Sequence, residues 1–256
     1  MRAAALLILL TPAAAAAAAP ELRFVACPIY RDTDAGRKSG CWLADSPEDG
    51  WRYDVTSSPT KPDWNFQVLV EGRVSPGQTD LCGGIVLDPV RVSVLQGRCV
   101  RAMLPAEGYA GRRFVLPERN VRPLYEPRPP FPKPYGERTF EIPFEFGRSF
   151  VVYQLSDYLM DQAVAYAVAV KARRVEITGW AATSPTLVSG HALAEPPDVA
   201  KARAEAAAQW MRSLGVPADR VVVRWRSGAR PIDMPGAEGL TEPSRRRVDI
   251  RITPGP

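Results

Sequence analysis

Histidine is all but missing: His191 is the single one in the chain. That scarcity excludes a His-rich metal site and a Ser-His-Asp constellation. Cysteine is scarce too. Cys27, Cys41, Cys82 and Cys99 are the four present, and none has Cys-x-x-Cys spacing, so neither zinc nor thioredoxin-like chemistry is expected. Paired carboxylates and a nucleophile–base arrangement are also wanting, so no catalytic residue, metal or cofactor is expected and the chain is not read as an enzyme. Neither charge dominates: 33 Lys plus Arg face 28 Asp plus Glu, a net charge of +5. Because the arginines are scattered, no nucleic-acid partner follows. With 46% hydrophobic and 24% charged residues, wholesale disorder and a polytopic membrane protein are excluded as well.

The leading residues set the compartment. Arg2, the apolar run Leu6 to Leu10 and a run of alanines ending at Ala19-Pro20 describe a secretory signal peptide over 1–19. Past it, no segment approaches about eighteen uncharged apolar residues, so the mature chain should carry no transmembrane segment. Glu21 and Arg23 separate Cys27 from the apolar run, which argues against a lipid-attachment cysteine. An exported chain meets an oxidising compartment, and an even count of cysteines fits two disulfides. Of the three possible pairings, Cys27–Cys41 with Cys82–Cys99 is favoured, since each closes a short loop.

Proline marks the division of the chain. Seven prolines fall between Pro117 and Pro134, a density incompatible with a helix or a central strand. The segment 117–137 reads as an extended linker. Residues 20–116 before it read as a disulfide-containing β-rich domain, with short runs at Phe24–Tyr30, Gln67–Val74, Ile85–Leu87 and Val90–Leu95 between turn signals. Trp42, Trp51 and Trp64 admit two readings, a platform for sugars or peptides and core filling.

Residues 138–254 alternate between strand and helix patterns. Thr139–Phe146 alternates as a strand, and Leu155, Leu159, Ala163, Tyr166 and Val170 have helical spacing. Arg174–Gly179 is a second strand. A second helix over Pro197–Leu214 places Val199, Ala206, Trp210 and Leu214 on one face, with Gly215 as its stop. Val221–Trp225 and Arg247–Ile252 complete the sheet. The fold class is α+β, a βαβαββ sandwich with its helices on one side. Arg203 interrupts the apolar stripe of the second helix. Its guanidinium either snorkels to the rim or aims its fork at an anion.

These residues, taken in order, resemble the OmpA-like C-terminal domain family over about 140–252. Phe144-Glu145-Phe146 matches the family's opening Phe-x-Phe strand, and Ile177-Thr178-Gly179-Trp180-Ala181-Ala182 stands where a strand ends in Gly-His-Thr-Asp. Val199-Ala200-Lys201-Ala202-Arg203-Ala204 is similar to Leu-Ser-x-x-Arg-Ala. Gly215-Val216 with Arg220-Val221, and Arg245-Arg246-Arg247-Val248, match the later motifs. The resemblance implies a periplasmic module that holds the diaminopimelate end of the peptidoglycan stem peptide, its helix arginine on a carboxylate and its strand-end aspartate on an ammonium.

By that resemblance Arg203 takes the carboxylate, while Ala182 stands in place of the aspartate. Losing that contact costs on the order of 1.5–3 kcal/mol. The loop between Gly179 and Arg203 is longer than the family's and carries His191, Glu195 and Asp198. Glu195 is the better candidate to replace the lost acid, against the reading that it is a solvated loop residue; His191 reads as a surface residue. Trp180 and Arg246 are further candidate ligand contacts. Two functions stand open. One is a non-catalytic envelope protein that binds peptidoglycan weakly, in the periplasm at the wall or outer membrane, with another envelope protein on its first half. The other is an envelope scaffold whose wall site has decayed.

Overall fold

A computed structural model describes residues 19–33, 40–106, 108–111, 130–151 and 154–256, without the side chains of 154 and 155. The expected leader, Ala19 aside, and the linker up to 129 lie outside these residues. Among the described residues no helix is long and apolar enough to cross a membrane.

The first half is one seven-stranded sheet: β1 (Glu21–Ala26), β2 (Pro28–Arg31), β3 (Cys41–Asp45), β4 (Arg52–Asp54), β5 (Phe66–Val74), β6 (Ile85–Arg98) and β7 (Ala102–Leu104), in the order β1-β5-β6-β4-β3-β2-β7. Phe24, Tyr53, Val68, Val70, Leu87 and Val92 build its core. The runs expected separately at Ile85–Leu87 and Val90–Leu95 are a single strand. Gly72 pairs with Val90 and Val74 with Leu87, so Arg73 alone faces Asp88 and Pro89. This bulge absorbs a proline that has no N–H for the ladder.

The favoured disulfide pairing does not hold. The bridges are Cys27–Cys99 and Cys41–Cys82, spanning 72 and 41 residues. Sheet order explains the error. Both β1 and β6 run antiparallel to β5, so their C-terminal ends meet at one end of the sheet and carry Cys27 and Cys99 together. Short sequence separation is a poor guide when topology brings distant strand ends side by side.

The second half comprises β8 (Arg138–Pro143), α1 (Gln154–Ala169), β9 (Arg174–Ala181), the hairpin β10 (Thr186–Val188) and β11 (His191–Leu193), α2 (Asp198–Ser213), β12 (Val221–Ser227) and β13 (Arg247–Thr253). Its main sheet has the order β12-β9-β13-β8, with β12 and β9 parallel and the other pairs antiparallel. Both helices cover one face: Met160, Ala163, Tyr166 and Ala167 of α1 and Ala204, Ala207, Ala208 and Met211 of α2 meet Ile142, Val175, Ile177 and Ile250.

The buried stripe of α2 differs from the expected one. Ala200, Arg203, Ala204, Ala207, Ala208 and Met211 face inward, whereas Ala206 and Leu214 are exposed. Small alanines let the helix lie against β9, and Gly179 makes the approach possible. A Cβ there would stand 2.0 Å from the Ala200 carbonyl oxygen. Residues at the end of the proline-rich segment also pack down: Phe131 lies edge-on to Tyr166 at 4.9 Å, and the Tyr166 hydroxyl donates to the Gly136 carbonyl.

Candidate functional site

Arg203 lies in the second turn of α2 and is fully buried. Its guanidinium has five N–H donors in a fixed fork, and all five are used. Nη2 donates to Glu195 Oε1 at 2.5 Å and Nη1 to Glu195 Oε2 at 2.9 Å. The rest go to backbone carbonyls, Nε to Arg148 at 2.7 Å, Nη1 to Trp180 at 2.8 Å and Nη2 to Glu145 at 2.9 Å. The ring of Phe144 lies 5.3 Å from the guanidinium carbon.

Glu195 is equally saturated. Its Oε1 also accepts from the Gly147 N–H and its Oε2 from the Ala182 N–H, each at 2.8 Å. The positive φ of Gly147 belongs to the turn after β8 that presents this N–H. The Glu195 N–H donates to the Ala182 carbonyl at 2.9 Å, and Pro196-Pro197 follow directly before α2. A guanidinium fork and two backbone N–H groups thus form a cradle for one carboxylate, and the chain's own Glu195 fills it. Burial would raise the Glu195 pKa. The bonds and charge of Arg203 outweigh it and hold this carboxyl below its usual range.

The cradle lies beneath the first half of the chain. Arg246, expected near a ligand, instead makes a buried two-pronged pair with Glu71 of β5, at 2.5 and 3.1 Å. Arg23 Nε reaches the same carboxylate at 3.0 Å. Around this triad Arg91 bonds Glu238 and the Gly236 carbonyl, Phe146 N–H donates to Ser93 Oγ, and Arg148 donates to the Val94 carbonyl. Val25, Leu69 and Val188, with Leu95, Phe146 and Leu193, form an apolar seam between the halves. The β10–β11 hairpin is pinned there as well, since Ser189 Oγ accepts from the Val25 N–H and donates to Glu48.

Glu145 sits on this seam, bonded to Thr60 Oγ1 of the first half. Burial pushes its carboxyl up to about 8 despite the charges of Arg148, Arg246 and Arg91.

The structure therefore brings Arg203, Glu195 and the Ala182 backbone together. It separates the other two expected contacts. The Trp180 indole is on the opposite, open face of the sheet, where Nε1 donates to Asp249 Oδ2 at 2.6 Å and Arg247 stacks at 5.0 Å, so only its carbonyl reaches Arg203. Neighbouring residues of a strand point to opposite faces, which is why Trp180 and its flanking Ala181 part company. Glu71 was missed by the sequence reading. Its signal was present: a lone carboxylate directly after the apolar run Val68-Leu69-Val70 of a strand, on a strand buried on both faces, needs a buried cation. Among the described residues no group of three or more His, Cys, Asp or Glu could hold a metal ion.

No family model matches the chain, and no curated protein matches it. Solved structures do. It is similar to the OmpA-like domain of FopA1 from Francisella tularensis, with 14% identity over 47% of this chain and 77% of that one and a TM-score of 0.35. It is similar to the peptidoglycan-associated lipoprotein from Burkholderia pseudomallei, with 19% identity over 44% and 89% and a TM-score of 0.34. A third match is the cell wall anchor of the T6SS from Pseudomonas aeruginosa, with 21% identity over 46% and 82% and a TM-score of 0.35.

Proposed function

We propose that the chain is an exported, non-catalytic protein of the cell envelope in which the OmpA-like half is a scaffold for the β-rich half, its carboxylate receptor held closed by Glu195. One observation carries this reading: every donor of Arg203 and all four acceptor contacts of Glu195 are made within the chain. A wall carboxylate could enter only by displacing a buried, fully bonded one. The two disulfides support an oxidising compartment. In this reading the leader 1–19 is removed, the protein works in the periplasm, and its partner is another envelope protein held by the first half.

The receptor's build favours a second reading. A fork plus two N–H groups suits any carboxylate, so a diaminopimelate stem peptide could compete for it if the Glu195 loop withdrew. Sedimentation with diaminopimelate-type sacculi decides between the two. The scaffold reading expects the wild-type chain to remain in the supernatant. Wild-type pelleting that free diaminopimelate reverses would overturn it in favour of wall binding.

A further inference from the structure

Trp42 and Trp64 of the first half fill space, edge-on to each other and to Tyr30 with ring centres 5.3–5.9 Å apart. Trp225 of the second half does the opposite. It is 50% exposed on β12, the end strand of the main sheet, which pairs with β9 alone. Among the described residues no backbone group of 222–227 bonds to anything beyond β9. An unpaired edge of this length, rich in β-branched and aromatic residues, is a template for one more strand. We propose that β12 is a docking edge for an extended acidic segment of a partner protein, one with carboxylates at alternate positions.

Alternation sets what this edge displays. Arg224 and Arg226 point to the open face of the sheet, whereas Val223 and Trp225 point to the side that carries α2. Arg224 shares Glu176 at 3.3 Å. Arg226 is exposed, lies 6.0 Å from the Trp180 ring and has no ion pair among the described residues. On the other side the Lys201 ammonium stands 5.4 Å from the Trp225 ring and 3.7 Å from Glu205. Three cations thus border one exposed indole on a strand whose outer backbone groups are open. The frame is rigid, since β12 is held along its whole length by β9, from Val221 against Val175 to Ser227 against Ala181. A partner strand therefore meets an edge already in the extended form it must pair with.

Charge decides the occupant. A second copy paired antiparallel about Trp225 would set Arg224 opposite Arg226 twice over, and like charges directly opposite each other destabilise a ladder. A neutral strand would draw nothing from the two arginines. An acidic strand places two carboxylates, two residues apart, opposite Arg224 and Arg226 on the open face. Its intervening residue, if apolar, falls against Trp225 and Val223. Main-chain bonds then supply affinity, and the alternating side chains supply selection. β12 takes no part in the apolar seam, so the outcome here leaves the closed cradle of Arg203 and Glu195 as it stands.

The test uses the full mature chain with both disulfides intact and a capped peptide, acetyl-Thr-Thr-Glu-Val-Glu-Thr-Thr-amide, followed by nitrogen–proton NMR. The expected result is saturable shifts centred on the amides of 222–227. The same peptide with lysine for both glutamates should bind about tenfold more weakly or worse. The double variant Arg224→Glu, Arg226→Glu should reverse that preference while keeping its Tm, because both side chains are exposed. N-methylation at alternate residues of the peptide should abolish binding by removing its edge hydrogen bonds. No saturable shift at β12, equal binding of the two peptides, or undiminished binding of the N-methylated one overturns the proposal. So does concentration-dependent pairing of the chain through β12, which would make a second copy the occupant.

Discussion

At the scale of single residues, the two buried glutamates of the seam titrate in opposite directions. Glu195 is held below the ordinary carboxylate range by Arg203 once burial has been overcome. Its contribution to stability is therefore complete above about pH 4.5, the unfolded value, and is lost as pH falls through the lower folded value. Glu145 is pushed by burial from 4.5 up to about 8. Between those values the folded chain keeps a proton that the unfolded chain has released, so stability should decline as pH rises across that window. Denaturant unfolding of Glu145→Gln should remove that decline. An unchanged slope in the variant would place the titration on another group. Arg203→Lys is a further residue-scale test. Lysine cannot supply the planar five-donor fork, so two or more buried acceptors are left unmet, and the loss should be about 2 kcal/mol or more by the same unfolding measurement.

At the scale of elements, α2 is positioned by what is small. Gly179 admits the Ala200 carbonyl within 2.0 Å of where a Cβ would stand. Gly179→Ala should push α2 off β9 and cost about 1–3 kcal/mol, measured as a shift in the urea midpoint with an unchanged slope. A neutral result would mean that the helix is not seated by that contact.

Most strands were legible because alternation such as Phe140 and Ile142 against Thr139 and Glu141 needs only a buried and a wetter face, although the strand ends at Pro143 and Glu145, beyond it, is buried on the seam. The α2 stripe was misread for a physical reason: large residues draw the eye, but Val199, Trp210 and Leu214 sit at the margins while alanines fill the seam. The cysteine pairing was misread because strand order, unlike strand content, is not written locally. Within the site, Arg203 and Glu195 could be nominated by position. The Gly147 N–H and the carbonyls of Glu145, Arg148 and Trp180 could not, since backbone groups carry no sequence mark.

At the scale of the whole molecule, the two halves are joined through buried charge. Glu71 of the first sheet receives Arg246 of the second half and Arg23 of its own. Removing the carboxylate strands the Arg246 guanidinium in a dry seam, while Arg23 keeps Thr186 and Glu242; breaking one partner of a buried pair typically costs about 3–5 kcal/mol. Glu71→Ala should therefore lower the stability of both halves together, read as a common drop in the near-ultraviolet circular dichroism of the first half's tryptophans and the hydrogen-exchange protection of α2. A drop confined to the first half would show that the seam does not couple them. The same coupling bears on reduction of the disulfides, which should loosen the second half through the seam although all four cysteines lie before residue 100.

The most direct measurement concerns the cradle and its occupant. Glu195→Ala leaves Arg203, the Gly147 N–H and the Ala182 N–H facing an empty carboxylate position. Titrated with acetate, this variant should regain helix content and Tm, by about 1.4 kcal/mol at ten times the acetate dissociation constant, while the wild-type chain does not respond. Acetate that stabilises both proteins equally, or neither, would contradict the claim that Glu195 occupies a carboxylate receptor built by its own chain.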